Sequence, residues 1–163
     1  MKNYKFYMQA TDKSGTATGA VVDLEVDFPG LKYASCEGLE AVGEPKNIYT
    51  EEYAEQDGPR LHLPADESST LHRKETTVKL TLLFVKEGEA DYRAVKSAFI
   101  SFVTGKRLFF WDTARHRKVW LYLAKPVNPD TDYLGDGGCI KADFEFTNLW
   151  GIGKLCTDDG TLV

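Results

Sequence analysis

Few side chains in this sequence stand where chemistry would need them. A metal site asks for His, Cys or carboxylates that return at helical or strand spacing, or for a CxxC pair. His62, His72 and His116 lie out of such reach of one another, and Cys36, Cys139 and Cys156 form no pair of that kind. The histidines read as surface residues and the cysteines as reduced thiols. A nucleophile needs a base beside it. Cys36 precedes Glu37-Gly38 with no hydrolase signature around it, so it reads as a small apolar residue near a turn. "GDGG" at 135–138 has the glycines of a phosphate loop, but it lacks the Lys-Ser/Thr and leads into a strand. It is better explained as a loop that needs positive φ. On a strand Glu51 and Glu55 would share a side, with Glu52 between them, and solvated or partner-facing charge is the expected role. No catalytic constellation, metal site or cofactor site emerges, and the chain is not expected to be an enzyme.

The other charged cluster is Arg115, His116, Arg117 and Lys118, set between "RLFFWD" and "VWLYLA". A nucleic-acid grip would want further cations and stacking aromatics on the same face. Here the flanking aromatics alternate as strand residues that a core would absorb. The cluster therefore reads as the tip of a hairpin, offering complementary charge to an acidic patch on another subunit. Residues 49–57, with Glu51, Glu52 and Glu55, are the candidate for that patch.

Totals agree with a soluble globular protein. The chain has 163 residues, a net charge of −5, 42% hydrophobic and 28% charged residues. That length suits one domain with a sizeable core. The negative charge argues against non-specific binding to DNA or acidic membranes. No apolar run approaches the roughly 20 residues of a membrane helix. The opening "MKNYKFYMQATDKSG" breaks its apolar residues with polar ones and is no signal peptide, so a cytoplasmic location is expected.

Strands dominate the elements that would position these residues. "NYKFYMQA" and "AVVDLEVDF" alternate with period two, and "LKYASCEGLEAVGEPKN" reads as a short strand and an irregular loop. "IYTEEYAEQDGPRLHLP" has the form of a hairpin turning at Asp57-Gly58. In "TTVKLTLLFV", Val78, Leu80, Leu82 and Phe84 share one face. The one convincing helix, over about residues 89–104, carries Tyr92, Val95, Ala98, Phe99, Phe102 and Val103 on one stripe, with Gly105 placed to end it. "CIKADFEFTNLW" sends Ile140, Ala142, Phe144 and Phe146 inward. The expected fold is mainly β, a β-sandwich or split barrel with one flanking α-helix. Residues 1–150 form a single domain, and 151–163 a C-terminal tail, mobile or exchanged onto a neighbour. An alternative use of such a sandwich is carbohydrate or ligand binding, with Trp111, Trp120, Tyr122 and Trp150 as a stacking platform.

The order of these parts carries a resemblance. An aromatic N-terminal strand leads to the acidic hairpin "IYTEEYAEQDG". "TVKLTLLFV" is followed by the helix "YRAVKSAFISFVTG", then "KRLFFWDTARHRKVWLYLAKPV" and "GCIKADFEFTNLWG". Over residues 3 to 150 this resembles the tail-tube fold of tailed phages, most of all the N-terminal domain of siphophage distal tail proteins. The resemblance implies a structural subunit of a phage or prophage tail (distal tail, tail tube or baseplate) that assembles as a hexameric ring. It implies other tail or baseplate proteins as partners, a virion-tail location, DNA passing through a lumen and no catalytic residues. Two departures stand out: distal tail proteins continue into a second domain whereas this sequence runs to Val163, and the loop "PADESSTLHRKETT" is longer and more polar than a hairpin requires. The choice among distal-tail, tube and baseplate roles stays open.

Overall fold

The computed structural model describes residues 4–44, 49–51, 60–62, 73–86, 91–123, 132–134 and 139–163. In chain order the elements are β1 (Phe6–Thr11), β2 (Val22–Asp23), α1 (Leu24–Asp27), β3 (Leu31–Glu37), β4 (Tyr49–Glu51) and β5 (Arg60–His62). There follow β6 (Thr76–Val85), α2 (Tyr92–Val103), β7 (Arg107–Asp112), β8 (Arg117–Tyr122), β9 (Asp132–Leu134), β10 (Cys139–Asn148) and β11 (Lys154–Leu155).

Among the described residues nine strands form one open antiparallel sheet in the order β2-β1-β7-β8-β10-β6-β3, with β11 added to β8 and β9 to β10. β6 and β10 pair along their full lengths, from Thr76 opposite Asn148 to Val85 opposite Cys139. The seam between β8 and β10 is narrow, confined to Leu121 opposite Asn148 and Tyr122 opposite Thr147. Fully buried Asn148 locks that seam, its Oδ1 accepting from the Trp120 and Trp150 backbone N–H groups. β4 and β5 pair with each other as a second, two-stranded sheet.

Both wings of the sheet contribute to one core. Met8, Leu108, Phe110, Val119 and Leu121 come from one side of the seam; Val78, Leu80, Leu82, Phe84, Ile140, Ala142, Phe144 and Phe146 come from the other. The alternation in "TTVKLTLLFV" and "CIKADFEFTNLW" is what places them there, because successive side chains point to opposite faces. α2 covers this core. Asp91 caps it by accepting from the Arg93 N–H, and Gly105 leaves it at φ +70. Phe99, with no exposed surface, meets Phe28 and Phe144 edge-on at centroid distances of 5.5 and 5.0 Å. A buried ring of this kind contributes about 1.5–3 kcal/mol. Tyr92 and Val103 are buried with it, while Ala98 turns outward.

The mainly β fold with one flanking helix is the expected one. One strand is not. Over 20–28 the alternating pattern yields only Val22–Asp23 before a single helical turn. Asp23 caps that turn by accepting from the Glu25 N–H, and Asp27 closes back onto the Asp23 N–H. Short polar side chains that bond the local backbone here outcompete the ladder, leaving Val26 65% exposed.

Candidate assembly surface

The β7–β8 hairpin has two apolar faces. Leu108 and Phe110 enter the main core, while Phe109 and Trp111 build a second, smaller cluster with Cys156, against which Tyr7, Trp120 and Trp150 pack. The turn between the strands is shaped by Asp112, whose Oδ1 accepts from the Arg115 N–H at 2.7 Å, and by His116, at φ +54. Asp112 is 1% exposed. Burial pushes its carboxyl above the ordinary range, opposed by the Arg115 N–H and guanidinium.

The four basic residues each meet a group of their own chain. Arg115 Nη1 donates to the Cys36 carbonyl at 3.1 Å, and Arg117 Nε lies 3.8 Å from Glu40. His116 Nδ1 lies 3.4 Å from the Asp158 carboxylate. Lys118 is buried: its ammonium donates to the Gly160 carbonyl at 2.8 Å and sits over the rings of Phe109 and Trp111, 4.2 and 5.0 Å from their centroids. Desolvation lowers its pKa, with Cys156 and Asp159 opposing. The tip thus holds the 36–40 stretch on one side and the C-terminal segment on the other.

That segment packs against the hairpin of its own chain. Lys154 and Leu155 pair with Lys118 and Arg117, and the Cys156 N–H donates to the His116 carbonyl at 2.8 Å. The chain then reverses at 157–161. The Thr157 N–H donates to the Thr161 carbonyl, and Asp159 accepts from the Thr157 hydroxyl and the Thr161 N–H. These donors hold the Asp159 pKa at about 2. Gly160, at φ +84, lies under the Trp111 indole so closely that an added Cβ would fall 2.6 Å from the ring. Trp111 Nε1 donates to the Asp158 carbonyl. The Val163 N–H closes onto the Leu155 carbonyl, leaving Leu155, Leu162 and Val163 exposed. Burial and backbone bonding fasten a tail whose sequence lacks a hydrophobic period; the turn signature "TDDG" was its only legible sign.

The remaining candidates are dispersed. Glu51 sits opposite Arg60 in the β4–β5 ladder. Glu52, Glu55 and the "GDGG" stretch lie outside the described residues. Among the described residues no group of three or more His, Cys, Asp or Glu is arranged to hold a metal ion. Burial pushes the Cys36 thiol up to about 12 and raises Cys156 as well, against the thiolate character that reactivity requires. Three of the four aromatics named as a stacking platform meet in the second, smaller cluster, the Trp120 and Trp150 rings lying 6.5 Å apart. Trp111 is buried, Trp120 bonds Thr11 and lies under the Arg107 guanidinium, and Lys154 sits 4.1 Å over the Trp150 ring. Trp120 and Trp150 are half-buried, and Tyr122 is 40% exposed.

No protein-family model matches this chain, and no curated protein does. Solved structures do resemble it. The chain shares its fold with the Dit protein of phage SPP1, described as a paradigm of the hub adsorption apparatus in phages infecting Gram-positive hosts. The TM-score is 0.51 at 15% identity, over 92% of this chain and 52% of that one. Chains of the phage p2 baseplate in its activated conformation, with strontium and with calcium, give TM-scores of 0.47 and 0.48. Each is 15% identical, over 91% of this chain and 45% of theirs. The chain therefore spans about half the length of these structures.

Proposed function

We propose that this chain is a structural subunit of a phage or prophage tail, a distal-tail or baseplate component that joins copies of itself into a ring and performs no catalysis. The observation that carries this reading is the fold shared with the SPP1 Dit protein over 92% of the chain. The burial of both Cys36 and Cys156 supports the non-catalytic part. Ring closure follows from head-to-tail contacts repeated by a rotation, and six copies is the number we propose. The acidic run Glu51, Glu52 and Glu55 faces a neighbouring copy in this reading. Arg115, His116 and Arg117 border the same interface, and Lys118 supports it from beneath. Other tail or baseplate proteins stack on the ring, DNA passes through its lumen, and assembly takes place in the cytoplasm before the subunit becomes part of the virion tail.

Light scattering on the size-fractionated protein, followed by negative-stain micrographs, tests the reading. A closed ring of several copies is the expected result; a species that stays monomeric at high concentration, with no rings on the grid, contradicts it.

A further inference from the structure

Among the described residues β3 is the outermost strand on one side of the sheet. Its ladder with β6 fixes which backbone groups turn outward. The Val85 N–H donates to the Gly30 carbonyl, and Leu31, Lys32 and Tyr33 stand opposite Phe84, Leu83 and Leu82. Antiparallel pairs alternate between bonded and unbonded. Gly30 and Lys32 therefore bond to β6, while Leu31 and Tyr33 aim their N–H and C=O groups at the border. The register shifts between Tyr33 and Ser35. Beyond the shift Ser35 and Glu37 meet Thr81 and Lys79, odd-numbered residues of β6 like Leu83 and Val85, and Cys36 is the next to turn outward.

Bare groups of this kind are a template for a strand from another chain. Here three of them meet groups of the same chain. The Leu31 N–H donates to the Phe28 carbonyl at 3.0 Å, and the Tyr33 N–H to Glu25 Oε1 at 3.3 Å. The Cys36 carbonyl accepts from Arg115 Nη1 at 3.1 Å. The last two partners are side chains of separate elements. Glu25 stands on α1, the helical turn that replaces the strand expected over 20–28, and Arg115 lies in the turn between β7 and β8. Both bonds involve a charged group, the stronger kind. The register shift between them bends the border, which also hinders strand addition.

We propose that Glu25 and Arg115 hold the β3 border closed in the free subunit. The carboxylate takes the place of an added strand's C=O and the guanidinium that of its N–H, so a strand from a second copy joins there only by displacing them. This restraint belongs to the free subunit and does not depend on ring closure. It also gives α1 a role that its sequence alone does not suggest.

Hydrogen exchange and self-association of the full-length protein test it. In Glu25→Ala at low concentration the Tyr33 amide should exchange about tenfold faster than in wild type, whereas Glu25→Gln, which keeps an acceptor, should retain much of the protection. As concentration rises, Glu25→Ala should self-associate with a Kd about tenfold below that of wild type, and the amides of residues 31–37 should regain protection in the associated form. In Arg115→Ala the Cys36 carbonyl carbon should move upfield as its hydrogen bond is lost. Adding Arg115→Ala to Glu25→Ala should protect 31–37 at lower concentration than Glu25→Ala alone. Slow exchange at Leu80 and Phe144, paired in the middle of the sheet, shows that a variant is folded. Should Glu25→Ala fail that check, Glu25→Asp, which keeps the charge but is one methylene short of Tyr33, must give the same results. Unchanged Tyr33 exchange in the folded variant, unchanged self-association, or added association that leaves 31–37 unprotected overturns the proposal.

Discussion

Gly160 shows how much a single position can decide. Its φ of +84 and the nearness of the Trp111 ring leave no room for a Cβ, whereas Gly105, at φ +70, has nothing within 4 Å of where a Cβ would stand. Gly105→Ala should therefore cost about 1 kcal/mol, the backbone strain alone. Gly160→Ala should cost about 1–3 kcal/mol more because the indole must shift, and urea denaturation of the two variants measures the difference. Asp112 makes a second test. Its carboxyl titrates above the ordinary range because burial disfavours the charge, so the folded state binds its proton more tightly than the unfolded one. Stability then falls as pH rises through that raised value and is regained below the ordinary value near 3.8. Asp112→Asn keeps an acceptor for the Arg115 N–H without the charge. It should match or exceed wild-type stability at pH 7 and lose that advantage in acid, while Asp112→Ala, without the acceptor, should be about 1 kcal/mol less stable at pH 7. Asp159 has the opposite sign. Its pKa is depressed to about 2 by the Thr157 and Thr161 donors, so its contribution is present above the ordinary carboxylate range and is lost as pH falls toward 2. Tryptophan emission should report the C-terminal turn loosening from Trp111 across that window, and Asp159→Asn should abolish the titration.

At the scale of elements, α2 and the β6–β10 pair were legible because period and burial agree. Phe99 sits where the helical stripe puts it and Phe84, Phe144 and Phe146 where strand alternation does, all with almost no exposed surface. Phe99→Ala should cost about 3–5 kcal/mol, and Ala98→Ser, on the outer face of the same helix, should stay within about 0.5 kcal/mol of wild type by thermal melt. Other elements were not legible, for identifiable reasons. α1 arises from Asp23 and Asp27 bonding nearby N–H groups, which a count of alternating residues does not register. The C-terminal hairpin has no apolar period of its own. It is held by Lys118, Trp111 and the free edge of β8, all distant in sequence. Arg115 and His116 lie in the hairpin turn as expected, whereas Arg117 and Lys118 already belong to β8, and no spacing rule says that these cations would be met by Cys36, Glu40, Asp158 and Gly160.

For the molecule as a whole, a sheet nearly split at the β8–β10 seam is held together by one shared core and by the C-terminal segment, which covers the half of the β8 edge that β10 leaves open. β3 ends the sheet on one side, and the β4–β5 hairpin stands outside it. Strand borders of this kind invite pairing with other chains unless a partner covers them. In the proposed function that partner is a further copy of the same chain. The most direct measurement is the mass of the full-length protein in solution, by light scattering across a concentration series, with class averages of the same sample. The account predicts a multiple of 18.3 kDa that averages to a closed ring; a mass that stays at one subunit throughout, with featureless single particles, would contradict it.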